Sequence, residues 1–404
     1  MTTAVKTLQD RVTASVDARA DELIALSHAI HANPEVSYAE HAAAALVARS
    51  AEAAGFATEL GAYGIPTAVE AVAGVGELTV AVCAEYDALP DIGHACGHNM
   101  IAAMAVGASA ALAEVADELD LRVKLLGTPA EEHGGGKVDL LLAGAWEDVT
   151  FSLMAHGGTG ADAPCDAMRS TAVERLEITY TGRAAHAAGA PTKGVNAGAA
   201  ATVALTALGL LRQQLSPEVN VNAFVSHGGE ATNIIPERAV VQLEIRAYDL
   251  DEWRDLRRRV LACFEAGAVA TGCSWAHRRT EHPYAPLAPH AGLAEVWNRT
   301  IQGLGRVLDP SRVLGGGSTD MGNVSQVLPA IHPLVSVLGN DSVPHHADFT
   351  AAAATPQADA AVLDGAKALA LTVVEAALDP ALRAELLDRQ RSRPAGATRT
   401  TLEA

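Results

Sequence analysis

The chain has 404 residues, of which 49% are hydrophobic and 19% are charged, and its formal net charge at pH 7 is −19. This length exceeds the size at which a single hydrophobic core usually stops growing, so about two domains are expected. So negative a charge excludes nucleic acid and an anionic membrane surface as expected partners, because both would repel the protein. The net charge does not identify a substrate, since the local charge of a cleft can oppose it.

The cysteine pattern predicts a protein of a reducing compartment. The cysteines are odd in number and irregularly spaced, at Cys83, Cys96, Cys165, Cys263 and Cys273. The opening segment MTTAVKTLQDRV is polar and lacks the apolar stretch of a secretory signal, so we expect a cytoplasmic protein without a disulfide framework. The longest apolar run, residues 197–211, is shorter than the roughly 18 residues of a membrane span and predicts an Ala-rich core helix.

The first part of the chain alternates helices with strands. A helix is predicted within residues 9–32, where leucine and isoleucine recur at helical spacing, and Asn33-Pro34 marks its expected end. Further helices are expected near 38–54, 99–116 and 137–144, and strands that run into loops at 77–87, 121–132 and 149–158. This order predicts an α/β domain whose largely parallel sheet is covered on both faces.

Ionisable residues stand where each of these three strands ends. Glu85 and Asp87 follow the first strand, Glu131 and Glu132 the second, and His156 the third. In open α/β sheets, ligands bind beyond the carboxyl ends of the strands. These side chains can therefore converge on one site.

The sequence pattern changes near residue 170. Segments 174–182 and 238–249 alternate apolar and polar residues, as half-exposed antiparallel strands do. With a strand at 220–227 and a charged helix that begins near 251, they predict an inserted α+β domain over residues 170–283.

The α/β pattern resumes after this insertion. Residues 284–386 are expected to complete the domain that residues 1–169 begin, with one buried strand at 330–338 and a closing helix near 350–377. Residues 387–404 are polar and aperiodic, and we expect them to form a disordered tail.

The stretch DIGHACGHNM, residues 91–100, places a cysteine between two histidines. Thiolate sulfur and imidazole nitrogen are ligands that zinc prefers, and the close spacing of Cys96 and His98 lets one loop supply two of them. A buried turn that happens to hold a thiol and two imidazoles is the ordinary alternative, and this stretch alone cannot complete a metal site.

Other residues of the metal-ligand type occur in the same α/β segments. They are the adjacent pair Glu131 and Glu132, His156, and the two histidines of PHHADF at 344–349. Adjacent glutamates usually belong to a solvated loop, and a single histidine at a strand end is usually a surface residue. The combination is less ordinary, because every member lies in the α/β segments and none in the insertion. The HGGG that follows the glutamates predicts a backbone that approaches another group closely.

The order of motifs HACGHN, GTPAEEHGGG, MAHGG, GRAAH, NIIP, GGGSTDMGNVS and HHADF resembles the amidohydrolase branch of the M20 metallopeptidase family. The resemblance covers roughly residues 20 to 375 and is closest to the aminobenzoyl-glutamate hydrolase and M20-domain-2 dipeptidase-like group. It implies a zinc-peptidase-like catalytic domain interrupted by a ferredoxin-like lid domain, through which two copies form a homodimer.

The resemblance also implies a metal centre for two divalent ions, with Zn²⁺ expected first and Mn²⁺ as the alternative. Its implied ligands are Cys96, His98, Glu132, His156 and His345. His345 is preferred to His346 because the ligand of the family stands four residues before a phenylalanine, here Phe349. Glu131 takes the position of the general base. His94 lies outside the ligand pattern, and Glu85 stands where many M20 peptidases have a histidine ligand.

Residues for substrate binding are implied as well. His186 resembles the lid histidine that donates to the tetrahedral intermediate, often across the dimer interface. Asn233 and Arg246, with Ser318 and Thr319 of the GGGSTD loop, match positions that hold the carboxylate or oxyanion of the substrate.

The expected activity is hydrolysis of the amide bond of a small dipeptide or N-acyl amino acid, by metal-activated water with Glu131 as base. The alternatives are an N-acyl amino acid deacylase rather than a dipeptidase, and a non-catalytic metal-binding relative. A protein that only binds a metal has no need of the base, so Glu131 favours an enzyme.

Overall fold

The computed structural model of the protein describes residues 3–313 and 315–402, which divide into two compact units. The main unit comprises the described residues up to Arg169 together with Leu287–Thr401. The inserted unit comprises Ser170–Pro286 and Leu402.

The elements are numbered in chain order. The α-helices are α1 (Thr3–Ala18), α2 (Ala20–Ala32), α3 (His41–Ala53), α4 (His98–Ala113), α5 (Ala116–Leu119), α6 (Gly136–Ala143), α7 (Ala197–Arg212), α8 (Leu250–Thr271), α9 (Ala291–Gly303), α10 (Met321–Val327), α11 (Ala347–Ala352), α12 (Pro356–Leu378) and α13 (Pro380–Ser392). The strands are β1 (Ala57–Leu60), β2 (Val69–Ala73), β3 (Leu78–Ala84), β4 (Leu121–Gly127), β5 (Phe151–Leu153), β6 (His156–Gly158), β7 (Ala172–Thr181), β8 (Asn220–His227), β9 (Arg238–Ala247), β10 (Ser274–Arg279), β11 (Ala330–Ile331) and β12 (Leu334–Ser336).

The main unit contains a mixed six-stranded sheet in the order β1-β2-β4-β3-β5-β11. β3 pairs in parallel with β4 and β5, and β5 pairs in parallel with β11, whereas β1 and β2 form an antiparallel edge. All seven residues of β3 are buried, as the continuous apolar run of its sequence predicts. The predicted α/β class is confirmed, with the central strands parallel.

The helical core of the main unit depends on small residues. Almost every residue of α4 is buried, and the helix is rich in alanine. A Cβ at Gly365 of α12 would lie 2.1 Å from the sulfur of Met104 in α4, and a Cβ at Gly107 would lie 2.7 Å from Leu23 in α2. The helices pack this closely because these positions carry no side chain.

Three predicted elements of the main unit differ in the structure. The segment 149–158, expected to be one strand that runs into a loop, contains two short strands, β5 and β6. The helix expected over 9–32 is two helices, α1 and α2, that meet at Arg19. The single buried strand expected over 330–338 is two short strands, β11 and β12, which belong to different sheets. The cause is Pro333 between them, because proline cannot donate a hydrogen bond to a sheet ladder.

The prediction of a disordered tail over 387–404 is wrong for the described residues. Helix α13 continues to Ser392, and the Asp379 carboxylate caps its start. Arg393 then donates to the carbonyl of Val149 at 2.7 Å, and Arg399 forms two hydrogen bonds with Glu147. Residues 403 and 404 lie outside the described part of the chain.

The inserted unit has the ferredoxin-like arrangement that the resemblance implies. Its chain order is β7-α7-β8-β9-α8-β10, and its sheet has the order β10-β7-β9-β8 with every neighbouring pair antiparallel. Apolar residues of β7 and β9, among them Leu176, Ile178 and Leu243, are buried with residues of α7 and α8. β8 lies at one edge of this sheet.

Of the helices that the structure describes, none combines the length and the apolar character needed to cross a membrane.

Candidate metal centre

The carboxyl end of β3 and the start of α4 place the first candidate ligands. Gly97 precedes α4 with a φ of 77°, a left-handed conformation that glycine adopts without strain. This turn leads into His98, the first residue of α4, whose side chain is fully buried. Cys96, on the other side of the turn, is half-buried.

Asp87 orients two of the candidate ligands. Its Oδ1 lies 3.0 Å from Nδ1 of His98, and its Oδ2 accepts from the backbone N–H of Glu132 at 2.9 Å. Although burial alone would raise it, the charge of His98 and the hydrogen bonds hold the pKa of Asp87 at about 2. The ionised Asp87 therefore holds the Nδ1 proton of His98, which leaves Nε2 as the atom that can bind a metal.

The two glutamates are carried by a tight loop after β4. Ala130, just before them, has a φ of 61°, which is uncommon for a residue with a side chain. The backbone then returns so closely that a Cβ at Gly136 would lie 1.9 Å from the carbonyl oxygen of Pro129. The close approach that HGGG predicts is therefore present, and it is made to the loop that carries Glu131 and Glu132.

His156 and His345 face this loop from the other elements. Nδ1 of His156 donates to the carbonyl of Gly157 at 2.6 Å, and its Nε2 lies 3.4 Å from the sulfur of Cys96. Nε2 of His345 lies 3.4 Å from Oε2 of Glu132. His345 has a left-handed φ of 64° and a side chain that is 56% exposed.

The neighbouring His346 points elsewhere. Its Nδ1 accepts from the backbone N–H of Asp348 and so caps α11. Its ring also lies 3.3 Å from the Asp348 carboxylate. Of the two adjacent histidines, His345 is the one beside Glu132.

The candidate ligands form two groups that share Cys96. The groups are Cys96, His98 and His156, and Cys96, Glu132 and His345, and the ligand atoms of each lie within 4.8 Å of one another. A third group contains Glu85, His98 and Glu131 at the same spacing. The five residues that the sequence resemblance implies as ligands thus lie together.

Charge and burial at this cluster favour a cation. Although burial lowers it, the Asp87 carboxylate raises the pKa of His98 well above its usual value. Burial, with the charges of Glu85 and Glu132, raises the pKa of Glu131, and burial with Glu132 raises that of the Cys96 thiol. Burial and neighbouring negative charge cause these shifts, and a bound cation would oppose them by favouring the thiolate, carboxylate and neutral imidazole forms.

Orphaned buried atoms agree with this interpretation. Among the described residues, no hydrogen bond reaches Nε2 of His98 or Oε1 of Glu132, although both atoms are buried. Buried polar atoms are almost always partnered in folded proteins. Divalent metal ions fit these residues.

The predicted substrate loop belongs to the main unit, outside the three groups. Thr319 is 4% exposed, and its hydroxyl oxygen accepts from the N–H of Met321 at the start of α10. Ser318, beside it, is half-buried.

The inserted unit brings His186 and Asn233 together. The carbonyl of Asn233 accepts from the N–H of Ala187 at 2.9 Å, next to a β-bridge between His186 and Ile234. Nδ1 of His186 accepts from the N–H groups of Ala188 and Gly189 at 3.2 and 3.0 Å. A neutral His186 therefore carries its proton on Nε2, the form that can donate outward.

Arg246, the other candidate of the inserted unit, is paired within its own strand. Its guanidinium donates to both carboxylate oxygens of Glu244, at 2.8 and 3.1 Å. Glu244 also accepts from Arg175 on the neighbouring strand at 2.8 Å. A substrate carboxylate would compete with Glu244 for this guanidinium.

Sequence reasoning missed three buried ionisable residues near the cluster, namely Lys137, Asp320 and His332. Lys137 contacts Glu85 and Asp320, and the ring of His332 lies 5.6 Å from that of His156, edge to face. The sequence contains only weak signals for these residues. Lys137 directly follows the glycine triplet, and His332 interrupts an apolar strand.

Comparisons with known proteins agree with the fold. Residues 174–271 match the M20 peptidase dimerisation domain. The chain is 39% identical over 393 residues to the Xaa-Arg dipeptidase of Mus musculus, a match that covers 93% of this chain and 90% of the relative. It is 37% identical over 398 residues to the Xaa-Arg dipeptidase of Homo sapiens, covering 92% of this chain and 88% of the relative.

A solved structure shows the same architecture. A dinuclear metal-binding peptidase of the M20 family from Bacillus subtilis superposes with a TM-score of 0.67 at 21% identity, over 89% of this chain and 99% of that one. The fold and the relatives define a metal-dependent amidohydrolase. The chain belongs to the M20 family of metallopeptidases.

Proposed function

We propose that the protein is a dipeptidase, and that Xaa-Arg dipeptides are the first substrates to test. The observation that carries the proposal is the pair of ligand groups sharing Cys96, with the Glu131 carboxylate beside them. The substrate class follows from the similarity to the mouse Xaa-Arg dipeptidase. The net charge of −19 is compatible with a cationic substrate.

Two divalent ions are proposed, one held by Cys96, His98 and His156 and one by Cys96, Glu132 and His345. The mixture of thiolate, imidazole and carboxylate ligands favours Zn²⁺, with Mn²⁺ as the alternative. When bound, such ions polarise a carbonyl group and lower the pKa of water. Metal analysis of the purified protein, with activity restored by each ion separately, distinguishes the two metals.

Glu131 is proposed as the general base. Its carboxylate lies 3.8 Å from Nε2 of His98, next to the ligands, while its neighbour Glu132 is turned toward His345. Glu131 would take a proton from the attacking water and deliver it to the leaving nitrogen of the amide. The adjacent glutamates thus have separate tasks, one for the proton and one for the metal.

His186 is proposed as the donor that stabilises the negative charge of the tetrahedral intermediate. Two backbone N–H groups bind its Nδ1 and keep the proton on Nε2, so the neutral ring can donate without first being protonated. Asn233, Arg246, Ser318 and Thr319 are proposed to bind the carboxylate of the substrate. In that role Arg246 would exchange Glu244 for the substrate.

A homodimer through the inserted unit is part of the proposal. β8 is an edge strand, and it exposes Phe224 by 62% and Val225 by 42%. Leu210 on α7 is 72% exposed. An apolar strand edge of this kind is a site for pairing with a second chain. Sedimentation analysis of the purified protein measures the oligomeric state. A cytoplasmic location remains a prediction from the cysteine pattern.

The proposed function is tested by assaying the metal-loaded protein against Xaa-Arg dipeptides, neutral and acidic dipeptides, and N-acyl amino acids. We expect the largest kcat/KM for dipeptides with a C-terminal arginine. A preference for N-acyl amino acids would instead identify a deacylase. No hydrolysis of any member, with two ions bound, would contradict the proposed activity.

A further inference from the structure

We infer that Glu85 is a fourth ligand to the ion held by Cys96, His98 and His156, and that the buried Lys137 aims it there. The inference rests on the proposed metal centre and adds a ligand that the family resemblance does not assign. It also separates the roles of the two ions.

The Glu85 carboxylate is fixed at one oxygen. Oε1 accepts from Nζ of Lys137, and both side chains are fully buried. Lys137 also binds Oδ1 of Asp320 at 2.7 Å, and its backbone N–H donates to Oδ2 of Asp320 at 2.9 Å. Lys137 is therefore held at both its backbone and its side chain, so the orientation of Glu85 is determined.

The second oxygen faces the candidate metal centre. Oε2 of Glu85 lies 3.5 Å from Nε2 of His98, and no hydrogen bond from the described residues reaches either atom. An unpartnered oxygen on a buried carboxylate is costly unless a cation or donor compensates it. When Nε2 of His98 is deprotonated, both orphaned atoms are electron-pair donors, and a metal ion between them satisfies both.

The spacing agrees with shared coordination. Two nitrogen or oxygen ligands at about 2.1 Å from a tetrahedral ion lie about 3.4 Å apart. The Glu85–His98 distance is 3.5 Å, and the pairs Cys96–His156 and Glu132–His345 are each 3.4 Å apart. The Glu85 oxygen is thus spaced from His98 as two ligands of one ion are, and it forms a ligand-type group with His98 and Glu131.

A role limited to balancing the charge of Lys137 explains these observations less well. Asp320 alone neutralises Lys137, so the trio of Lys137, Asp320 and Glu85 carries one excess negative charge in a fully buried position. The excess charge lies on the side of His98, where a cation would offset it.

The fourth ligand has a consequence for the two ions. An ion held by Cys96, His98, His156 and Glu85 has four protein ligands, as closed structural zinc sites do. The other ion has three, Cys96, Glu132 and His345, and keeps a position open for water or substrate. The ion at Glu132 would therefore be the one that acts on the substrate.

The test is Co²⁺ titration of the metal-free full chain, with affinity and visible absorption as readouts. For Glu85→Gln we expect a Kd for the tighter ion at least about 10-fold higher, and altered ligand-field bands. The thiolate charge-transfer band from Cys96 should persist. Glu174→Gln is the matched control, because it removes a buried carboxylate of the inserted unit that belongs to none of the ligand groups, and it should leave the bands unchanged.

Should Glu85→Gln fail to fold because Lys137 loses a partner, the double variant Glu85→Gln with Lys137→Met removes that charge and is titrated instead. Wild-type affinity and bands in the Glu85 variant would overturn the inference, provided that Cys96→Ala abolishes the charge-transfer band. Wild-type binding in Cys96→Ala as well would overturn the proposed metal centre, and this inference with it.

Discussion

The candidate residues of the two units are held in opposite ways. In the main unit, buried side chains such as His98 direct unpartnered atoms toward one another. In the inserted unit, His186 and Asn233 are exposed, and Arg246 is engaged by Glu244. The difference suggests a metal centre that is preorganised and substrate contacts that form only when substrate binds. Substitutions in the main unit should therefore change metal content or proton transfer, whereas substitutions in the inserted unit should change turnover and leave metal content unaltered.

The largest effect is expected from Cys96→Ala. Cys96 belongs to both ligand groups, so its loss should release most of the bound metal and reduce kcat/KM by more than about 10⁴-fold. Metal content by mass spectrometry and activity measure the two effects, and circular dichroism checks the fold. Cys263→Ala, in α8 of the inserted unit, is the matched control. Full metal content in the Cys96 variant would refute its assignment as a ligand.

Glu131→Gln should separate chemistry from metal binding. The change removes the proton acceptor and preserves the shape of the side chain, so kcat should fall by about 10²- to 10⁴-fold. Metal content and substrate affinity should stay near those of the wild type. Normal turnover in this variant would exclude Glu131 as the base.

His186→Ala should lower turnover by about 100-fold and leave metal content unchanged, because it removes only a donor to developing charge. If His186 serves the partner subunit, mixing this variant with Glu131→Gln should restore up to about one quarter of wild-type activity. Each mixed dimer would then hold one site with both residues intact. No recovery, once subunit exchange is verified by mass, would place His186 in its own subunit or outside catalysis.

The smallest effect concerns stability, and it belongs to the main unit. Burial lowers the pKa of His332 to about 3, and the neighbouring His156 adds to the shift. Between about pH 3 and pH 6.5, this histidine is therefore protonated in the unfolded state and neutral in the native state. Stability from this group is complete above about pH 6.5 and is lost as the pH falls toward 3.

When the pH falls from 7 to 5, the wild type should therefore lose about 2 kcal/mol more of its unfolding free energy than His332→Leu loses. Urea unfolding of both metal-free proteins at the two pH values measures this difference. An unchanged pH dependence would mean that His332 is protonated in the native protein.

The sequence predicted the fold well where periodicity is strong. β7 and β9 alternate apolar and polar residues, and β3 is continuously apolar, so their burial could be inferred directly. Helix α13 was missed because its polar sequence has little periodicity. It is stabilised by the Asp379 cap and by a few buried leucines, including Leu386.

Some features of the candidate site could likewise be predicted from the sequence, and others could not. The residue types and spacing of Cys96 and His98 favour metal binding, and the resemblance adds Glu132 to the implied ligands. The roles of Lys137 and Glu244 depend on partners distant in sequence or on the neighbouring strand, and no local pattern reveals them. The proton position on His186 depends on two backbone N–H groups, which every sequence supplies.

Gly136 has no side chain that could take part in the proposed reaction, but its close contact with Pro129 fixes the loop that carries Glu131 and Glu132. A single methyl group there would overlap the Pro129 carbonyl oxygen, 1.9 Å away, and would have to push aside the loop that carries both glutamates. In a saturation mutagenesis scan, Gly136 should tolerate as few substitutions as the ligands do. A molecule that separates these two backbone segments would displace Glu131, and so should block the proposed reaction without reaching the proposed metal centre.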